Sequence, residues 1–350
     1  MNLTYIIDPK NPNLKHCSNM FYKAFLLNNQ LIENESIQQI KQTTFKELLL
    51  FIKVLLNVDK NSKVFIFFFA PQAEYLILVF LLRVLKIVFP DHLKICYLMH
   101  EPRLEKGRVN SIKTSLVYTY QLLFSYFADK ILLPSDQAVA QAKTFVQEQK
   151  IYKVNLPFNS IPKEILKDNL EQLKCCWETC KAFSMIATVS SSDKNPWGFL
   201  NFANIFNQYY SQKAQFIRAG LDRGVHVNYD ENTIIRFPSY LSNSAKSFLL
   251  GLTHFVVIPY STSTQSGVIA EALSYGKLLI VNDIPAFSYL KSFSFAFVVD
   301  FNNEGSILKC IHDLLSMDAN DYESRYWKAV DYFHANHSEG YLAKTLSNIL

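Results

Sequence analysis

Three polar clusters in this 350-residue chain have residue types and spacings that handle an anion or a proton. The densest is Ser261-Thr-Ser-Thr-Gln-Ser-Gly267, which follows the apolar run Phe255–Tyr260 and leads into Val268-Ile-Ala-Glu271-Ala-Leu-Ser-Tyr-Gly276. The last segment is apolar at helical spacing and ends on glycine, so it reads as a helix with its stop. A hydroxyl-rich loop feeding a helix start is the geometry of an anion site. First-turn N–H groups lack partners there, and the helix dipole favours negative charge. Gly267 lets a diphosphate approach the backbone, and Thr264 or Ser266 caps the helix or donates. Glu271, one turn in, is placed to accept from sugar hydroxyls. The same pattern also fits an ordinary Ser N-cap followed by an early Glu.

The second cluster is Ala187-Thr-Val-Ser-Ser-Ser-Asp-Lys194-Asn-Pro196, again between an apolar run and a helix. Lys194 is placed to neutralise phosphate, or is an exposed loop lysine. The third is Tyr97-Leu-Met-His100-Glu101-Pro102. A histidine at the end of a strand lies on the ligand edge of an open α/β sheet, where it serves as acid, base or donor, or is structural.

The elements that must position these clusters alternate short apolar runs with longer helical ones, as in α/β chains with parallel sheets. Strands are expected at Leu3–Ile7, Val64–Phe69, Leu93–Met99, Lys130–Leu133 and Lys153–Leu156. The loop Asp8–Asn13 follows the first, and a helix starts at Asn19. Pro157-Phe-Asn-Ser-Ile-Pro162 marks a boundary, after which the pattern restarts. Strands follow at Phe183–Val189, Gln215–Ala219, Thr233–Arg236, Phe255–Pro259, Leu278–Val281 and Ala296–Val299, with a helix from about Pro196.

Composition excludes several classes. There are 9 glycines, and only Gly107 precedes Gly198. No G-x-G-x-x-G and no P-loop is present, so any phosphate is held another way, in the second half. Six cysteines lack paired zinc spacing: Cys175-Cys176-x-x-x-Cys180 has no C-x-x-C and no nearby histidine, and no metal is expected. Met1–Asp8 is too short and polar for a cleavable leader, so reduced thiols and a cytoplasmic location are expected. Residues 1–165 carry 20 Lys+Arg against 13 Asp+Glu, whereas residues 166–350 carry 15 against 17. That asymmetry is ordinary scatter or a basic half facing an anionic surface. The positive charge is dispersed and without a recognition motif, so no nucleic-acid partner is expected. Glu74–Pro90 is too short in its apolar run to span a bilayer. It reads as a buried helix or as a basic amphipathic one, with Arg83 and Lys86 as membrane-contact candidates.

Together, the clusters resemble the large retaining family 4 of GT-B glycosyltransferases. That family has a proline-ended strand, a loop, then a helix reading E-A-[LM]-x-x-G-[KLV]-P-[VL]. This chain has Val256-Val-Ile-Pro-Tyr260, then Glu271-Ala-Leu-Ser-Tyr-Gly276-Lys-Leu-Leu-Ile-Val-Asn-Asp283. Lys194-Asn-Pro196 is similar to its K-N-P turn, Tyr97–Pro102 to its strand-end histidine, and Asp129-Lys-Ile-Leu-Leu-Pro-Ser135 to its A-D-x-[VI]-x-x-x-S element.

The resemblance implies two Rossmann-like domains facing across a cleft. Residues 1–160, with a C-terminal helix at about 336–350 packing back, would bind acceptor. Residues 161–335 would bind a nucleoside-diphosphate sugar without obligatory metal or cofactor. It places Lys194 on the diphosphate, Glu271 on the ribose, and the loop and helix start (Ser263, Thr264, Gln265, Ser266, Gly267 and Val268) on the donor. It brings His100, with Glu101 beside it, to the sugar. Asp8 and Asn19 are the acceptor-side candidates. Three positions depart from the pattern. Val189 stands where the family has arginine, and Ser263, in a T-Q-S-G variant, where it has its first glutamate. Asp8–Asn13 replaces a Gly-Gly loop. Losing the arginine weakens the phosphate clamp, because lysine is a point charge and not a fork. The stereochemical course stays open, with Asp8, Glu101 and Asp283 as acids that matter if the reaction inverts. The expected reaction is sugar transfer to a saccharide or lipid-linked saccharide acceptor, as in bacterial surface-polysaccharide assembly, with peripheral contact on the inner face of the membrane. The alternatives are a nucleotide-sugar epimerase or phosphorylase on the same scaffold, and a catalytically degenerate partner protein.

Overall fold

The computed structural model describes residues 2–7, 12–29, 35–40, 53, 55–56, 58, 62–69, 73–88, 92–99, 111–210, 213–222, 227, 233–263 and 266–349. The chain divides into two compact units, Met1–Pro157 with Asn336–Leu350, and Phe158–Ala335. Among the described residues each unit holds one six-stranded sheet with only parallel pairings.

The first sheet has the order β2-β1-β3-β4-β5-β6, with β1 Asn2–Ile7, β2 Glu35–Ile40, β3 Lys63–Phe68, β4 Leu93–Leu98, β5 Lys130–Leu133 and β6 Ile151–Lys153. Its helices are α1 (Pro12–Asn29), α2 (Ala73–Val88), α3 (Ser111–Phe127) and α4 (Asp136–Ala142). The continuous apolar run of β3 is explained by burial on both faces. Ile66 and Phe68 join a core with Leu78 and Leu82 of α2 and Phe124 of α3. Phe67, on the other face, meets the rings of Phe21 and Phe25 of α1 at 5.9 and 5.1 Å. Each such phenylalanine contributes ~1.5–3 kcal/mol of burial.

Two local expectations are corrected here, and one strand had no signal in the sequence. The segment Glu35-Ser-Ile-Gln-Gln-Ile40 is a strand despite its polar composition. Among the described residues it pairs with β1 alone, at the sheet edge, where a strand is less covered and tolerates polar side chains. Helix α1 starts at Pro12 and not at Asn19. Proline suits a first helical turn because its missing N–H would have no partner there. Strand β6 ends at Lys153. Val154 and Leu156 are buried beyond its end, the Val154 N–H donating to the Leu133 carbonyl at 2.8 Å and the Leu156 carbonyl accepting the His337 Nδ1–H at 2.9 Å. That histidine introduces α11 (Glu339–Ile349), which packs on α1 within the first unit. Lys23 pairs with Glu339 at 3.3 Å, and Lys130 donates to the Ile349 carbonyl.

The second sheet has the order β12-β11-β10-β7-β8-β9. Its strands are β7 Lys181–Ser190, β8 Ala214–Asp222, β9 Ile234–Phe237, β10 Phe255–Ile258, β11 Leu278–Asn282 and β12 Ala296–Val299. Helices α5 (Lys163–Cys175), α6 (Pro196–Tyr209), α7 (Asn243–Leu252), α8 (Gly267–Ser274), α9 (Glu304–Leu315) and α10 (Ala319–Asn336) complete it. Phe183 of β7 stacks on Phe216 of β8 at 5.1 Å and on Phe255 of β10 at 4.9 Å, locking three neighbouring strands in register.

Candidate functional site

In the second sheet, β7 and β10 are neighbours, but the chain continues from β7 to β8 and β9 on one side and from β10 to β11 and β12 on the other. The loops that follow these two strands therefore diverge, and the crevice at such a reversal is where open α/β sheets bind ligands. The β7 loop carries Lys194 and the β10 loop carries Ser261–Ser266.

The β7 loop is a 3-10 turn, Ser192–Lys194, that runs into α6. Asn195 takes a left-handed φ of 46°, and its side chain accepts the Gly198 N–H at 3.2 Å. Asparagine tolerates that conformation and caps well, and Pro196 occupies the first helical turn. This is the physical content of the Lys-Asn-Pro sequence. The two loops are fastened together, because Ser261 N and Oγ both donate to the Asp193 carbonyl, at 2.9 and 3.2 Å. The Asp193 carboxylate accepts from Ser191 Oγ and lies 3.5 Å from Lys194 Nζ. Lys194 Nζ also sits 4.0 Å from the centroid of the Tyr260 ring, a cation–π contact that orients the ammonium. Tyr260 is buried, and desolvation lifts its phenol to about 12 while Ser266 beside it pulls the other way.

Ser266 stands at the N-cap position of α8, but its side chain makes no capping bond. Its buried hydroxyl has no hydrogen bond of regular geometry among the described residues. Gly267 is the first residue of α8. A Cβ there would come within 3.0 Å of the Phe158 ring. Val268 is half-buried and packs against the core. Glu271 Oε1 accepts from Lys246 Nζ of α7 at 2.7 Å, and both side chains are mostly buried. Tyr275 Oη donates to Ser247 Oγ at 2.7 Å, a second tie between α7 and α8. Ser263 is half-buried in the same loop.

Thr264, Gln265, His100, Glu101 and Asp8 lie outside the described residues. Asn19 is exposed about two turns along α1, ~10 Å from its first residue. Asp283 pairs with Lys291 at 2.8 Å. Arg83 and Lys86 both turn to Asp129, Arg83 at 3.5 Å, and do not project as unengaged cations. Asp129 itself accepts the Ile95 N–H at 2.9 Å at the start of β5. The outward side of α2 is apolar, with Phe80, Val84 and Ile87 exposed, and Leu116, Leu123 and Tyr126 are exposed on α3. Among the described residues no helix is long and apolar enough to cross a membrane, and no three His, Cys, Asp or Glu side chains converge.

Sequence reasoning missed Asp193 and Tyr260 as supports of Lys194. Both adjoin the motifs, so adjacency was their signal. Lys246 had none, since it lies 25 residues before its partner.

No protein-family model matches this chain, and no curated protein matches it by sequence. Solved structures match it along nearly its whole length. The trehalose-6-phosphate structure from E. coli bound with UDP-2-fluoro glucose gives a TM-score of 0.65 at 12% identity, over 100% of this chain and 98% of that one. The alpha,alpha-trehalose-phosphate synthase (UDP-forming) from Burkholderia vietnamiensis gives 0.64 at 9%, over 100% and 99%. Anabaena HepE in complex with UDP and glucose gives 0.62 at 10%, over 99% and 98%.

The fold is GT-B. At these identities the likeness is one of architecture, and the GT-B fold alone assigns no substrate.

Proposed function

We propose that the chain is a glycosyltransferase moving a sugar from a nucleoside-diphosphate sugar to a saccharide or lipid-linked saccharide acceptor. The observation that carries this reading is the gathering of Lys194, Ser266, Gly267 and Glu271 around the loops after β7 and β10, in a chain with the GT-B fold. Two solved structures of this fold, the E. coli one bound with UDP-2-fluoro glucose and Anabaena HepE in complex with UDP and glucose, support a nucleotide-sugar donor here.

In this reading the second unit holds the donor. Lys194 and the α8 N-terminus stabilise the leaving diphosphate as negative charge develops on it. Glu271 takes the ribose. The reaction needs no metal, because these fixed positive ends supply the charge. By the resemblance, His100, with Glu101 beside it, acts on the transferred sugar, and Asp8 and Asn19 serve the acceptor. The acceptor comes from bacterial surface-polysaccharide assembly (capsule, O-antigen or exopolysaccharide), on the cytoplasmic side of the membrane.

Thermal unfolding in the presence of UDP-, GDP- and ADP-sugars tests the donor. A bound ligand raises the unfolding temperature by mass action, so one nucleotide series should shift it and the others should not. No shift with any donor contradicts the reading and favours the degenerate-partner alternative. That alternative has its own observation: both charges expected to meet the donor already have protein partners, Lys194 in Asp193 and Glu271 in Lys246.

Membrane proximity rests on the apolar faces of α2 and α3 and on the basic balance of the first half. Co-sedimentation with anionic vesicles at low salt is expected, and protein that stays in the supernatant refutes it.

A further inference from the structure

The Lys246–Glu271 pair changes what Glu271 offers a ligand. A lone carboxylate presents two acceptor oxygens. Here Oε1 is taken by Lys246 Nζ at 2.7 Å, while Oε2 accepts no hydrogen bond from a described residue. An ammonium has three N–H donors, so two remain on Lys246 after this bond. The paired residues therefore present one acceptor and adjacent donors, and not two acceptors.

The backing is rigid. Helix α7 is capped by Ser242, which accepts the Ala245 N–H at 3.1 Å, and is anchored by buried Leu249 and Leu250. The Tyr275–Ser247 hydrogen bond fixes α7 against α8 one helical turn beyond Glu271. Neither charge needs to reorganise to hold this arrangement, so it exists before any ligand arrives.

A vicinal diol complements an acceptor set beside donors, because each hydroxyl both donates and accepts. We infer that Lys246 is a specificity-determining residue: with Glu271 it reads both hydroxyls of the ribose, the 3′-hydroxyl donating to Glu271 Oε2 and the 2′-hydroxyl accepting from Lys246 Nζ. This rests on the donor-site reading above. A site built to hydrogen-bond a hydroxyl discriminates strongly against the analogue that lacks it, since its own polar groups are then left unmatched.

The test is calorimetric titration of the wild-type chain, Lys246→Met and Lys246→Arg with UDP, GDP, ADP and their 2′-deoxy counterparts. The expected wild-type result is one ribonucleotide bound about tenfold or more tighter than its 2′-deoxy form. Lys246→Met should lose most of that ratio by weakening the ribonucleotide alone, and Lys246→Arg should restore part of it. If Lys246 merely ties α7 to α8, Lys246→Met lowers the unfolding temperature and leaves the ribo-to-deoxy ratio intact, which overturns the inference. Equal weakening of both nucleotides overturns it as well. A wild-type chain that binds none of the diphosphates overturns the donor-site reading together with this one, a result distinct from binding without discrimination.

Discussion

Two lysines of the second unit differ in what surrounds the ammonium. Lys194 is held by an aromatic face and a carboxylate and keeps about a fifth of its side chain exposed, so it can meet an anion from solvent. Lys277 is fully buried at the start of β11, and its Nζ has no hydrogen-bond partner among the described residues. The Tyr326 ring centroid lies 5.7 Å from it. Burial lowers its pKa to about 7 from the ordinary 10.5. Between those two values the unfolded chain binds the proton and the folded chain does not, so stability rises with pH across that window and the full penalty applies below it. Lys277→Met should therefore raise the unfolding temperature by several degrees at pH 6, with the gain shrinking toward pH 10. A gain that does not depend on pH, or none at pH 6, contradicts this account of Lys277. At this scale the sequence placed Lys194 and Glu271 next to recognisable turns. Asp193 and Tyr260 stood beside those turns, but Lys246 could not be revealed, because it meets Glu271 only through the packing of α7 on α8.

At the scale of elements, α8 begins on Gly267 and is stopped by Gly276. Gly276 adopts φ 68°, and a Cβ there would fall 2.4 Å from the Tyr326 ring. Gly276→Ala meets the left-handed penalty and a buried clash at once, and should destabilise the second unit by about 3 kcal/mol. Gly340→Ala is the control, since its Cβ would meet only Ser338 Oγ at 3.8 Å inside a helix. That change should be neutral or stabilise by up to ~1 kcal/mol. Chemical denaturation of the two variants checks the contrast, and equal effects would contradict it. The elements most legible in sequence are those whose pattern has one physical cause, such as β3, buried on both faces, or α8, stopped by glycine. Strand β2 was illegible because an edge position lets Gln38 stay exposed. The amphipathic reading of α2 identified a helix with an exposed face but not its chemistry. Asp129, more than forty residues away, draws Arg83 and Lys86 to itself and leaves Phe80, Val84 and Ile87 outward.

At the scale of the molecule, the chain joins two parallel-sheet units, and its C-terminal helix returns to the first. The uneven distribution of glycine follows this division. The second unit needs glycine where strands or helices come close, as at Gly220, whose φ of 125° and contact with the Ala187 carbonyl leave no room for a side chain. The central claim is that the loops after β7 and β10 hold a nucleoside diphosphate, with Lys194 as its counter-charge and Asp193 as the competing carboxylate. Calorimetric titration with UDP, GDP and ADP of the wild-type chain, Lys194→Met and Asp193→Asn tests it most directly. The account predicts that one diphosphate binds, that Lys194→Met weakens it about tenfold, and that Asp193→Asn tightens it by removing the rival charge. Binding that neither substitution alters, or no binding of any diphosphate, would contradict it.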